Sequence, residues 1–198
     1  MKPLQVPIVG EFINLRSLSV DDAAITYRWR SSSRAQHLNA PPKTVEEQAA
    51  WIASRPQSEL NFVIETKEHK PVGLISLVAI DNLHKRAESA RFLIGEEEAV
   101  KGIPAALEAM KMLYQLAFET LSLQRIYGVV AAGNVLMIKW QKYLGMKEEG
   151  RLRKHTFING EFQDSVCLGI LASEYYSTAL PKMNTLIGAA QNSARHLR

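Results

Sequence analysis

Residues 87–95 read Ala87-Glu88-Ser89-Ala90-Arg91-Phe92-Leu93-Ile94-Gly95; after the acidic run Glu96-Glu97-Glu98 the chain continues Lys101-Gly102-Ile103-Pro104-Ala105-Ala106. The first stretch has the character of a strand that ends on glycine. From Ile103 the period changes: Ile103, Ala106, Leu107, Met110, Leu113, Tyr114, Ala117 and Phe118 recur at three- and four-residue steps. That is one long amphipathic helix, whose apolar stripe must lie on a sheet. A strand that runs through a glycine-containing loop into a helix presents unpaired backbone amides to whatever binds there. The helix N-terminus adds partial positive charge, worth about 0.3–1 kcal/mol per exposed anion, and Lys101 adds a full charge. A single glycine does not by itself make a phosphate loop: Gly102 equally serves a tight turn, and Pro104 the first turn of a helix.

Working outward, residues 12–16 read as a strand and Asp21 opens a helical segment through Trp29 and Arg30. Pro41-Pro42 breaks the chain. Thr44, with Glu47 three positions on, has capping-box chemistry for a helix through Trp51-Ile52, which Pro56 ends. Residues 62–64, 72–80 and 87–94, separated by polar turns, read as consecutive antiparallel strands. Beyond the long helix, residues 125–131 form a β-rich strand. Residues 134–144 form a helix with Leu136, Trp140, Tyr143 and Leu144 inward, and Gly145 is placed as its C-terminal cap. Strands over 150–157 and 162–171 close the fold through a tight turn at Asn159-Gly160. The organisation expected is a loose segment over 1–9, in which Pro3 and Pro7 discourage structure, one folded unit over 10–176, and a mobile basic tail over 177–198 with a short helical stretch before it.

The 198 residues suit a single core. At 46% hydrophobic and 22% charged they are far from a disordered or disulfide-scaffold profile. One cysteine, Cys167, excludes an internal disulfide and points to a reducing, cytoplasmic setting. No signal peptide or membrane span is read. The formal charge of +4 is mild. Lys139, Lys142, Lys147, Arg151, Arg153 and Lys154 read as solvated surface, and no direct reading of nucleic acid is expected. The histidines are scattered, with no pair at ligand spacing, so no metal is expected.

In their order and spacing several stretches resemble the GNAT superfamily of N-acetyltransferases, and most the branch of ribosomal-protein N-terminal, spermidine and amino-sugar acetyltransferases. They are residues 72–77, the strand 87–95, the loop 101–105, residues 118–126, the run Asn134 to Met146, and Phe157-Ile158-Asn159-Gly160-Glu161-Phe162-Gln163-Asp164. The resemblance covers about residues 10–176. It implies an α/β fold: a mixed, mostly antiparallel sheet of about seven strands, flanked by helices and splayed between its central strands. It also implies acetyl-CoA as co-substrate. Lys101, Gly102, Ile103, Pro104, Ala105 and Ala106 match the family's pyrophosphate loop in either of two registers, one with Gly102 and one with Pro104 at the glycine place. Proline lacks an amide, so in each register one phosphate contact must come from elsewhere. Asn134 matches the family asparagine that bonds the pantetheine arm, and equally suits an N-cap.

The reaction implied is attack of a neutral amine on the thioester carbonyl, with backbone amides at Phe92, Leu93 and Ile94 stabilising the oxyanion. A primary amine near pKa 10.4 is charged at neutral pH, so a base is needed. Glu88, on the strand entering the cleft, is the preferred base, although an exposed strand glutamate looks the same in sequence. His37, His84, His155 and Asp164 are weaker candidates. The tyrosine that protonates the thiolate in many family members matches position 141, which is glutamine, and Tyr143 lies about 200° further round the helix. For the acceptor, Trp29, Arg30 and Arg34 suit a base and a diphosphate, favouring a nucleotide-linked amino sugar. Trp29 suits the core as well. The rivals are a protein N-terminus, toward whose cationic amine the Glu96 to Glu98 run would act, a polyamine, and a CoA-binding module without turnover.

Overall fold

The computed structural model describes residues 7–158 and 160–195; expectations about Pro3, Asn159 and residues 196–198 lie outside the described residues. Eight strands form one sheet: β1 (Ile8–Val9), β2 (Ile13–Ser17), β3 (Leu60–Thr66), β4 (Pro71–Asp81), β5 (Arg86–Ile94), β6 (Arg125–Ala131), β7 (Lys147–Ile158) and β8 (Glu161–Leu171), in the order β1-β2-β3-β4-β5-β6-β8-β7. All neighbours are antiparallel except β5 and β6, which run parallel at the centre. The fold is therefore the mixed, mostly antiparallel α/β arrangement expected, with eight strands where about seven are read. The additional one, β1, has two residues, too few for an alternation, and falls in the segment read as loose.

The helices are α1 (Ala23–Arg30), α2 (Val45–Ala53), α3 (Ala105–Gln115), α4 (Val135–Tyr143), α5 (Ala172–Glu174) and α6 (Leu180–Arg195). Strand alternation sorts the core onto two faces. Ile64, Ile75 and Ile94 join Met110, Leu113 and Tyr114 of α3 in the main core, whereas Val63, Leu74 and Leu93 pack on Trp29 of α1. The expected long helix ends as α at Gln115 and continues as a π-helical turn, Leu116–Thr120, which keeps Ala117 and Phe118 buried. At α2, Thr44 accepts the Glu47 amide at 3.2 Å, but the Glu47 carboxylate reaches the Lys43 amide at 2.8 Å, one residue earlier than a capping box requires.

Two further features depart from the sequence reading. The segment read as a basic tail is helical: α6 buries Met183 and Ile187, four residues apart, and these outweigh its polar composition, since a buried Met or Ile is worth about 1.5–3 kcal/mol. The packed body thus extends past residue 176. Second, Glu108 of α3 is 4% exposed. Its carboxylate accepts the amides of Glu11, Phe12 and Ile13 at 2.6, 2.8 and 2.9 Å, tying the β1–β2 turn to the helix.

β7 is the outer edge of the sheet, exposed from Lys147 through His155. Its pairing with β8 shifts twice; at the second shift Lys154 takes φ +47° and the Asp164 carboxylate accepts the Lys154 amide at 3.0 Å. At the far end of α4, Gly145 has φ +107°, and Met146 N–H reaches back to Gln141 C=O at 3.0 Å, so Gly145 closes the helix as expected.

Candidate active site

The parallel pairing of β5 with β6 covers only Arg86 to Glu88 against Arg125 to Tyr127, after which the strands separate. A cleft of about 1210 Å³ opens there. On its β5 wall the pairing with β4 slips by one residue at Arg91, which takes φ +56°. Such a conformation is costly for a non-glycine residue and persists only when its surroundings fix it. Here the Arg91 guanidinium clamps the Glu59 carboxylate at 2.7 and 3.0 Å, bonds Asn61 at 2.7 Å, and lies over the Trp51 ring. Beyond the bulge the Gly95 amide bonds Val72 C=O at 2.8 Å. Alternation then turns the Phe92 and Ile94 amides toward the opened side and the Leu93 amide toward β4, so of the three residues expected to hold an oxyanion Leu93 is directed elsewhere.

Glu88 lines the cleft at the point of separation, half-buried rather than exposed. Burial pushes its carboxyl pKa up; the Val129 amide and the charges of Arg91 and His155 act in the opposite direction. A carboxylate so placed is a base of raised strength within reach of solvent. His37 also lines the cleft. His84 sits in the β4–β5 turn, and Asp164 is engaged with Lys154 and Arg151.

The loop into α3 is built as a turn. Gly102 has φ +83°, and Pro104 is the N-cap residue rather than the first helical one. The Glu108 amide takes Pro104 C=O at 2.9 Å, so the amides of Ala105, Ala106 and Leu107 are the first-turn donors without an intrahelical acceptor. Ile103 and Ala106 line the cleft, while Pro104 and Ala105 join Trp140 and Tyr143 around a smaller groove beside it. Lys101 turns to Glu98 at 3.6 Å and does not line the cleft.

Across the opening Asn134 caps α4, accepting the Met137 amide at 3.2 Å. The face of α4 is in part the expected one: Leu144 is buried and Trp140 packs on the core, but Leu136 is 82% exposed and Tyr143 half-exposed, while Gln141 is 4% exposed. Leu136 and Val135 are apolar walls of the cleft rather than core, and Gln141 fills the inward place. The Trp140 Nε1 and the Gln141 Oε1 are buried without a partner among the described residues, and both residues line the cleft. Buried polar atoms are usually paired. A cleft with exposed apolar walls, two unpartnered polar atoms and free helix amides at one end fits a long ligand with an amide-bearing arm and an anionic end.

On the acceptor side the structure corrects one residue and qualifies another. Trp29 is 2% exposed, donates Nε1–H to Glu96 at 2.8 Å and belongs to the core, so it does not line the cleft. Arg34 lines it, but is held by Glu97 and by Ile94 C=O at 2.8 Å. Arg30 lines it as expected. Each carboxylate of the acidic run has a cationic partner, Glu96 with Arg28, Glu97 with Arg34 and Glu98 with Lys101, the last an exposed pair. Among the described residues no group of three or more His, Cys, Asp or Glu is placed to hold a metal, and no helix is long and apolar enough to cross a membrane.

Residues 13–147 match the family model of the acetyltransferase (GNAT) domain. The chain belongs to the GNAT acetyltransferase family. This acetyltransferase is 33% identical over 131 residues to the spermidine N(1)-acetyltransferase of Escherichia coli, covering 66% of this chain and 68% of that one. Among solved structures, a chimera of the Vibrio cholerae spermidine N-acetyltransferase SpeG with hSSAT superposes with a TM-score of 0.76 at 27% identity, over 84% of this chain and 99% of that one. A GCN5-related N-acetyltransferase from Brucella melitensis gives 0.76 at 24% identity, over 97% of this chain and 86% of that one, and shows the shared fold.

Asn134 carries two roles that one variant separates. Asn134→Ala is expected to lose about 1 kcal/mol of stability as a cap. If Asn134 also bonds the donor, calorimetry will show weaker acetyl-CoA binding; equal dissociation constants in variant and parent leave the cap alone.

Proposed function

We propose that this acetyltransferase moves an acetyl group from acetyl-CoA to a primary amine brought to Glu88. The observation that carries the reading is the opening between β5 and β6, with Glu88 at its apex and the α3 first turn at its rim. Acetyl-CoA, when bound, supplies an activated acyl group. The Ala105, Ala106 and Leu107 amides face its phosphates, with Gly102 allowing close approach. Asn134, Trp140 and Gln141 meet the arm. Glu88 takes the ammonium proton of the acceptor, and the Phe92 and Ile94 amides face the charge that develops on the acetyl oxygen, a contribution of about 2.7–4 kcal/mol per well-placed donor. Gln141 has no ionisable proton, so the departing thiolate takes its proton from water or from the attacking nitrogen, which becomes cationic as the C–N bond forms and the C–S bond breaks.

Support for a nucleotide-linked amino sugar weakens once Trp29 is in the core and Arg34 is paired. A polyamine acceptor is the second reading, favoured by the relatives named as spermidine acetyltransferases.

Gly102→Val tests the donor site. A Cβ there meets nothing within 4 Å, so the change acts through the φ +83° backbone rather than through a clash. In the parent, acetyl-CoA at 100 times its dissociation constant is expected to add about 2.7 kcal/mol of stability. The variant is expected to lose that thermal shift, and an undiminished shift would remove the loop from the donor site.

A further inference from the structure

The arginines around the acceptor end of the cleft are paired, with one exception. Arg34 is held by Glu97 and Ile94 C=O. Arg91 is held by Glu59 and Asn61, and Arg55 reaches Glu59 at 3.7 Å and covers the Trp51 ring. Arg30, in the last turn of α1, donates one N–H to Asn39 C=O at 2.6 Å and has no carboxylate partner among the described residues. Its Nε is buried with no acceptor among the described residues. Burial, and the charge of Arg91 nearby, push its pKa down. A guanidinium nevertheless keeps its proton in a protein, so the charge remains. Arg55 and Arg91 thus share one carboxylate, Glu59, with no contact from it to Arg30; of the two acids lining the cleft, Glu97 is already engaged with Arg34 and Glu88 stands at the β5–β6 apex.

A guanidinium without a carboxylate among the described residues, its Nε buried and unpaired at the wall of a substrate cleft, calls for an anion. We infer that Arg30 anchors an oxyanion, a carboxylate or phosphate carried by the acceptor itself, so that the acceptor is an amine with an acidic group rather than a polycation. The amine lies toward Glu88 and the acid toward Arg30, and the same arrangement selects against polyamines by setting like charges together. This inference rests on the acetyl-transfer reading of the cleft.

The test uses a panel matched in chain length: an alkylamine, the corresponding ω-amino acid, the corresponding aminoalkyl phosphate, and spermidine. Transfer by the parent, Arg30→Gln and Arg30→Lys is measured with acetyl-CoA, and binding of each amine in the presence of CoA is measured by calorimetry. The parent is expected to prefer one of the acidic amines, and whether carboxylate or phosphate leads identifies the group. Arg30→Gln should lower the preference for the acidic amine over the alkylamine roughly 10- to 100-fold, mainly through KM, and Arg30→Lys should restore part of it. Spermidine preferred over both acidic amines by the parent would overturn the inference, and so would an equal loss on every amine in Arg30→Gln. Calorimetry decides the anion subsite even where no transfer occurs. Failure of acetyl-CoA to bind, or binding of acidic amines without acetylation of any of them, would instead strike the acetyl-transfer reading.

Discussion

Glu88→Gln is expected to lower kcat/KM by about 10²–10⁴ while leaving the acetyl-CoA dissociation constant unchanged. The replacement is nearly isosteric and retains an acceptor for the Val129 amide that faces the carboxylate, so the loss reports proton transfer more than packing. The pH dependence gives a second readout. The base works as the carboxylate, and burial raises its pKa above the ordinary glutamate value of 4.5. In the parent the acceptor enters as the ammonium and the Glu88 carboxylate takes its proton, so log kcat/KM should rise with a slope of about one below the raised Glu88 pKa and level off above it. In Glu88→Gln the acceptor must arrive already neutral, so that plateau should vanish and the rise continue toward the amine's own pKa. A variant with parent-like kcat/KM and an unaltered profile would exclude Glu88 as the base and turn attention to His37.

Glu108→Ala is expected to give the largest loss of stability of the changes considered. It leaves the Glu11, Phe12 and Ile13 amides without their acceptor at a site where the carboxylate is 4% exposed. Hydrogen bonds to a charged group contribute about 1.5–3 kcal/mol each and do not add fully, so a loss of about 3 kcal/mol or more is expected. For a chain of this length that corresponds to a drop in Tm of about 6–12 °C. Glu108→Gln keeps one carbonyl oxygen and should lose less. Equal melting temperatures for Glu108→Ala and the parent would mean that water replaces the carboxylate at the turn.

What could be read in advance was whatever a short window of chain determines. The change of period at Ile103, the helix-ending glycine at Gly145 and the strand-loop-helix order around Gly102 depend on neighbouring residues, and they led to the right fold. The charge state of the cleft does not. That Arg30 is alone depends on Glu97 engaging Arg34 and on Glu59, 29 positions along the chain, engaging Arg91 and Arg55. Trp29 and Arg30 are adjacent in sequence but point to opposite fates, core and cleft, because an α-helix turns about 100° per residue. The faces of α4 misled for a related reason: Leu136 is apolar on account of the cleft rather than the core, and composition does not separate the two. The Glu108 anchor carried no signal: two residues from Met110, it lies about 200° round the helix and off the apolar stripe, where a glutamate reads as solvated surface until the turn it caps is known. In α6, the spacing of Met183 and Ile187 was a legible signal, overshadowed by the basic and polar residues around it.

The exposed β7 edge has a consequence for how this molecule keeps to itself. A twelve-residue strand with one side unpaired is a template on which another chain can grow a sheet, the geometry from which aggregates start. Lys147, Arg151, Arg153 and Lys154 line that strand, and the irregularity held by Asp164 breaks its straight run of donors and acceptors. A second copy approaching edge to edge would meet charged side chains along a kinked strand. The interrupted ladder is thereby a barrier to β-sheet growth rather than a flaw in pairing.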